Sequence, residues 1–333
     1  MGLNMSFEKL TNRNAFFKEM EREVLKLINP ATGEPFDGIV EKVDCPSCGF
    51  DDRSYFLKKW GFTYNKCIKC KLIYVSPRLT EKATIDLYKK GSKANEMYSN
   101  NVTTSDYEKK TNEIFFKEQL DVLKGYKIRG RLLDVGCRCG QFLLCAQKAG
   151  YVVEGLEIHE SSVRIALSKG LKIRKLLLTE EEINRGRFDI ITMFGVLEHL
   201  LKPSRDVEII HSMLNENGIF MAITPNAQSL VGMLLHDQSR FYTPRNHPVI
   251  FTFDSIRNLF ERKGFEVLHI DTVLTGYDSI ANYVQNSEPF GDLSFNFLPP
   301  KFKRLLENKE RFEELILHWD LGLRLRIIAK KTY

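Results

Sequence analysis

The chain has 333 residues, 43% of them hydrophobic and 28% charged, which suits one large globular domain with one or two small ones. No run reaches the ~18 consecutive apolar residues of a membrane span, and the N-terminus lacks the basic, apolar, small-residue order of a signal peptide. A net charge of +6 without a dense basic stripe disfavours a dedicated nucleic-acid binder.

The opening Met-Gly-Leu-Asn-Met-Ser fits a myristoylation pattern, although Met5 could equally be the start. Residues 6–28 predict a helix, with Phe16, Phe17, Met20, Val24, Leu25 and Ile28 on one face and Asn29-Pro30 as its end. The turn formers of ATGEPFDG (31–38) predict a hairpin or loop, so residues 1–40 read as a helical arm.

Two C-x₂-C knuckles follow, Cys45/Cys48 and Cys67/Cys70, separated by 18 residues. Each knuckle presents two soft ligands on one side, and an intervening hairpin can bring the pairs together around tetrahedral zinc. Four thiolates leave no open position, so the metal is expected to be structural; two disulfides or a metal-free relict ribbon are the alternatives. The ribbon is placed at 41–78. Cys137, Cys139 and Cys145 lie in or beside a glycine turn, and thiols kept there imply a reducing compartment and a cytoplasmic protein.

Residues 79–128 read as a helical lid or linker. Thr80 can cap a helix carrying Ala83, Leu87 and Tyr88, residues 91–105 are polar and loop-like around Tyr98, and 106–125 predict a helix with Phe116, Leu120 and Leu123 on one face.

Residues 131–160 organise the rest. A short apolar strand (131–135) leads into Gly136-Cys137-Arg138-Cys139-Gly140, then an amphipathic helix closed by Gly150, then a second strand ending on Glu157. Strand, glycine turn, helix, strand and acid form the nucleotide-binding half of a doubly wound sheet. Glu157 stands 23 residues after Asp134, well placed to accept bonds from two ribose hydroxyls. After it come strands near 171–178, 188–194, 218–224, 265–271 and 323–329. Helices are expected at 161–169, 203–214 and 252–263, with an insertion at about 286–320. The alternation predicts an α/β domain over 129–333 with a doubly wound, mostly parallel seven-stranded sheet.

The turn Asp134-x-Gly136-x-Arg138-x-Gly140 resembles motif I of the class I S-adenosylmethionine-dependent methyltransferases, with arginine where relatives usually have a third glycine. Phe188–Leu200 resembles that family's fourth-strand motif and Asn215–Asn226 its fifth. His247 followed by Phe251-Thr-Phe-Asp-Ser-Ile resembles the sixth unit, and Cys-Lys-Leu-Ile-Tyr-Val-Ser-Pro resembles the zinc-ribbon extension of one branch. That branch is common in glycan, nucleotide-sugar and natural-product pathways. The resemblance covers roughly 45–275. It implies a Rossmann-like fold, S-adenosylmethionine as cofactor, Asp134 and Gly136 with Gly140 along the aminoacyl end, and a wall at Glu198-His199.

Ligands of such sheets bind beyond the carboxyl ends of the strands, where Glu157, Thr179-Glu180, Glu198-His199 and Asn226 should converge. Glu157 is expected to hold the ribose, and Glu180 to contact the adenine amino group or favour a helix N-terminus. An oxygen or carbon acceptor must also lose a proton, a task for histidine near neutral pH. His247 and His199 are the candidates, with His247 preferred; sugar C-methyltransferases that the chain resembles have a glutamate–histidine pair where this chain has Asn246-His247. Arg240 and Arg245 could grip an acceptor phosphate or carboxylate or lie solvated on the surface.

The leading expectation is methyl transfer to an oxygen of a sugar, nucleotide-linked sugar or related small molecule. A zinc-ribbon RNA methyltransferase and a non-catalytic binding protein on the same fold are the alternatives, and the oligomeric state is not readable from the chain.

Overall fold

The computed structural model describes residues 13–89, 92–94, 96–97, 106–277, 280 and 300–332. The N-terminal acylation pattern, the start of the expected 6–28 helix, Tyr98 and residues 286–299 lie outside these, as does the Tyr88 side chain.

The arm is helical at Arg13–Leu25. Chain order then gives β1 (Val40–Glu41), the antiparallel hairpin β2 (Arg53–Lys59) and β3 (Phe62–Cys67), β4 (Ile73–Val75) beside β3, and β5 (Arg78–Leu79) paired back to β1. The hairpin turns on Trp60 and Gly61, both with positive φ. Thr80 caps the helix Glu81–Lys89, its Oγ1 accepting from the Ala83 N–H at 3.2 Å. A long helix, Asp106–Lys124, leads into the large sheet.

That sheet contains β6 (Arg131–Val135), β7 (Val152–Glu157), β8 (Ile173–Lys175), β9 (Phe188–Phe194) and β10 (Leu214–Pro225). After the two-residue β11 (Val249–Ile250) it is completed by β12 (Phe265–Val273) and β13 (Arg324–Lys331). The order is β12-β13-β10-β9-β6-β7-β8, with β13 antiparallel to both neighbours and β6 to β10 parallel. The expected doubly wound, mostly parallel seven-stranded α/β sheet is therefore present. Its central strands are buried on both faces, so they read as nearly unbroken apolar runs such as Ile190–Met193 and Ile219–Ile223.

Helices Asp106–Lys124 and Gln141–Lys148 cover one face, where Leu120, Leu123, Phe142 and Leu143 meet Leu132 and Ile190. Helices Pro203–Met213 and Phe253–Arg262 cover the other, where Phe220 stacks on Phe260 at 5.0 Å and 8°. Thr252 and Ser255 form a reciprocal capping box at the start of the second of these, which stabilises such a helix by about 1 kcal/mol. Within the insertion, Pro300–Glu307 and Lys309–His318 are helices.

The ribbon does not stand apart from this domain. Its sheet has four strands in the order β11-β4-β3-β2, so the edge strand comes from the segment after β10. Cys45, Cys67, Cys70, Leu72 and Tyr74 are buried in one cluster with Val249, Phe251 and Ile256. Nothing local in the sequence marked β11, because two residues carry no periodicity. Among the described residues, no helix is long and apolar enough to cross a membrane.

Candidate active site and four-cysteine centre

Gly136 and Gly140 both sit at φ 74°, and a Cβ would lie 2.4 Å from Val196 Cγ2 at the first and 2.2 Å from Leu171 Cδ1 at the second. The turn therefore needs glycine at both for conformation and for space. Arg138, where relatives usually have a third glycine, also takes a positive φ, 48°. Its backbone N–H donates to Glu157 Oε2 at 2.9 Å, while Glu157 Oε1 accepts from the Ile158 and His159 N–H groups at 2.7 and 2.8 Å. The acid thus closes the turn and is held at the strand end with only 4% of its surface exposed. Asp134 is buried beside it and accepts from Thr192 Oγ1 at 2.7 Å. Burial, aided by the charge of Glu157 and opposed by the Thr192 bond, pushes its pKa up to about 7.

The chain end of β9 runs into a short turn, Leu197–His199, that brings Glu198 and His199 against His247 from the loop after β10. One carboxylate oxygen and one ring nitrogen from each histidine lie within 4.8 Å of one another, and the two rings meet edge to face at 4.8 Å and 70°. His199 Nδ1 faces the Asn246 carbonyl and His247 Nδ1 the Phe241 carbonyl, both at 2.6 Å. A carbonyl only accepts, so each Nδ1 carries the proton and each Nε2 of the neutral ring keeps its lone pair. Burial lowers the pKa of both rings. His247, Arg138 and Arg324 push His199 down further, whereas Glu198 and the Phe241 bond partly offset burial at His247. Glu198 accepts from Thr224 Oγ1 at 3.0 Å and is 2% exposed. It was expected on the cofactor wall; the structure groups it with the histidines.

The loop carrying His247 is rich in buried polar atoms without a partner among the described residues: Ser239 Oγ, Tyr242 Oη, Thr243 Oγ1 and Asn246 Oδ1. Its two arginines differ, and Arg245 departs from both expectations. Arg245 is 9% exposed by side chain and ion-paired with Glu23 of the arm, which also accepts from Ser92 Oγ at 2.7 Å. Arg240 lies over the Phe17 ring at 4.7 Å. Both residues hold the N-terminal helix against the loop; Arg245 is buried in its ion pair, whereas Arg240 stays exposed to solvent. Glu180 is exposed at the start of a short turn and accepts from Arg205 at 3.0 Å.

The four knuckle cysteines converge. Cys45 and Cys70 are 3.5 Å apart, Cys48 and Cys67 3.6 Å, and all four sulfurs lie within 4.8 Å. A tetrahedron of sulfurs around zinc at 2.3 Å has edges of about 3.8 Å, so the donor set fits the metal in both chemistry and size. All seven cysteines are free thiols.

Arg324, whose charge reaches both His199 and His247, is the residue near the site that sequence reasoning missed. Arg324 begins β13, and that strand's reversed direction delivers it to the carboxyl ends of the parallel strands. Only the antiparallel register, invisible in the sequence, could have placed it there.

A glycine-turn strand pair ending on Glu157, within a sheet of this order, is the cofactor half of a methyltransferase. Residues 105–270 match the family described as a methyltransferase domain. Two similar proteins are the ubiquinone biosynthesis O-methyltransferases of Bordetella avium and Pasteurella multocida. The first is 29% identical over 34% of this chain and 51% of its own length, the second 28% over 39% and 65%. The chain thus spans between half and two thirds of the length of these relatives. An S-adenosylmethionine-dependent methyltransferase from Archaeoglobus fulgidus is 19% identical over 66% of this chain and 94% of its own, with a TM-score of 0.46. The chain belongs to the class I S-adenosylmethionine-dependent methyltransferases.

Proposed function

We propose that the chain methylates an oxygen of a small polyhydroxylated acceptor, such as a sugar, a nucleotide-linked sugar or a related metabolite, in a reducing, cytoplasmic compartment. The observation that carries this reading is the Glu198–His199–His247 cluster at the strand ends, beside a loop with four partnerless buried polar atoms. Leaving a buried donor or acceptor unpaired costs about 1–3 kcal/mol, so four in one loop suit an acceptor rich in hydroxyls. The curated relatives carry names of oxygen methyltransferases, which favours oxygen as the accepting atom.

S-adenosylmethionine supplies a methyl group on a positively charged sulfur. Glu157 would hold the ribose hydroxyls, Asp134 and the Gly136–Gly140 turn would hold the aminoacyl end, and Glu198 would stand at the border between cofactor and acceptor. His247 Nε2 would accept the proton that the acceptor hydroxyl loses on methylation. Glu198 steadies the resulting imidazolium, and His199 fixes the loop through the Asn246 carbonyl. Incubating the protein with methyl-labelled cofactor and a panel of sugars, nucleotide sugars and phenols, followed by mass spectrometry, tests the proposal. Label on a sugar hydroxyl is expected; label only on RNA added to the same reaction would overturn it.

Asp134 gives a result that needs no acceptor. Its pKa of about 7 leaves it roughly half protonated at neutral pH, and the two positive charges of the cofactor favour its ionised form. Binding is expected to release about half a proton at pH 7 and to tighten as pH rises through that value. In the free protein the sign is opposite: a raised carboxyl pKa means stability declines between its ordinary 3.8 and about 7. Calorimetry in buffers of differing ionisation enthalpy measures the proton, and zero release would remove Asp134 from the aminoacyl end.

We further propose one structural zinc held by Cys45, Cys48, Cys67 and Cys70. Protein prepared without added metal should contain one zinc per chain, and chelation should unfold the ribbon, because such a site contributes folding free energy directly. Metal analysis showing none, with four reactive thiols, would refute this.

A further inference from the structure

We infer that Tyr64 is a positioning residue for His247, through which the metal-bearing ribbon sets the place of the acceptor-side histidine. Tyr64 is fully buried, and its Oη donates to the His247 carbonyl at 3.0 Å across 183 residues of chain. It stands on β3 three residues before Cys67, and its ring meets Tyr242 edge-on at 5.4 Å. The second flank of the same knuckle does likewise. Three residues after Cys70, β4 pairs with β11 through Tyr74↔Val249 and Ile73↔Ile250, and the Val75 N–H donates to the Pro248 carbonyl at 2.9 Å.

The His247 carbonyl and the backbone that follows it are therefore tied to the two strands flanking the second cysteine pair. The loop itself supplies only the remaining bonds, from the His247 N–H to Thr243 O at 2.7 Å and from the ring to Phe241. The cofactor turn is secured differently, by Glu157 and by contacts with Val196 and Leu171. A metal without any role in the chemistry thereby governs the acceptor half of the site and leaves the cofactor half alone. The functional meaning rests on His247 acting as the base; the structural link does not.

Hydrogen exchange on the full chain tests the link. In zinc-loaded Tyr64→Phe, which keeps the ring and loses only the hydroxyl, amides within 242–248 should exchange roughly 3–10-fold faster, the change one lost hydrogen bond produces. Amides of 131–157 and the calorimetric affinity for S-adenosylmethionine should stay unchanged. Tyr55→Phe, which alters a side chain 68% exposed on β2, should have no effect. Stripping zinc from the parent protein with a chelator should speed exchange in 62–75 and 242–250 together, and adding zinc back should restore protection. Unchanged exchange at 242–248, either in Tyr64→Phe or after zinc removal, would overturn the proposal, as would equal acceleration throughout 131–157. Exchange reads the place of His247 whether or not it takes a proton. Normal turnover in a His247→Ala enzyme would therefore refute the base and leave this link intact.

Discussion

Replacing His247 with alanine is expected to lower turnover by roughly 10²–10⁴-fold while leaving cofactor affinity nearly unchanged. The ring is held in the tautomer that presents Nε2, and no step of cofactor binding requires it. The pH profile supplies a second signature. Burial holds the His247 pKa below its ordinary 6.5, so the neutral, proton-accepting form dominates at pH 7. As pH falls through that lowered value the ring protonates and the rate should drop, placing the acid limb below 6.5. His199→Ala should instead disturb acceptor alignment, because it frees the Asn246 carbonyl next to His247. Near-normal turnover without His247 and collapse without His199 would reverse the two roles.

Glu157→Ala should weaken S-adenosylmethionine binding by about 10²–10⁴-fold, since two ribose hydroxyls each lose a bond to a charged acceptor worth roughly 1.5–3 kcal/mol. The free protein suffers as well, because three backbone N–H groups, those of Arg138, Ile158 and His159, lose their partner. Glu157→Gln retains a carbonyl acceptor and should lose less. Calorimetry on a folded Glu157→Ala protein that binds as tightly as the parent would show that the acid closes the turn and does nothing for the ribose.

What could be read from the chain was what lies close together in it. The strand at 188–194 was found to the residue, because a doubly buried strand is one apolar run. The expected 171–178 strand shrinks to Ile173–Lys175, since β8 lies at the sheet edge beside β7 alone and its residues are partly exposed. β10 begins at Leu214, earlier than expected, because Asn215–Gly218 form an irregularity between Leu214 and Ile219 that reads as a turn. The two knuckles were legible because a cysteine pair of this kind has a fixed local spacing, C-x₂-C. The histidine pair was readable only as two candidates; that their rings touch depends on the ribbon and the loop meeting. The Glu23–Arg245 pair likewise joins residues 222 positions apart, and so the arm's purpose stayed hidden.

The borrowed edge strand also bears on how the molecule is made. On the ribosome, β4 emerges about 175 residues before β11, a wait of roughly 10–35 s at 5–20 residues per second. Until then the nascent ribbon presents an open β edge flanked by Ile73 and Val75, an invitation to pair with another chain. A chain truncated before Val249 keeps all four cysteines yet never closes the sheet, so the four-stranded ribbon sheet is completed only after the chain has passed β10.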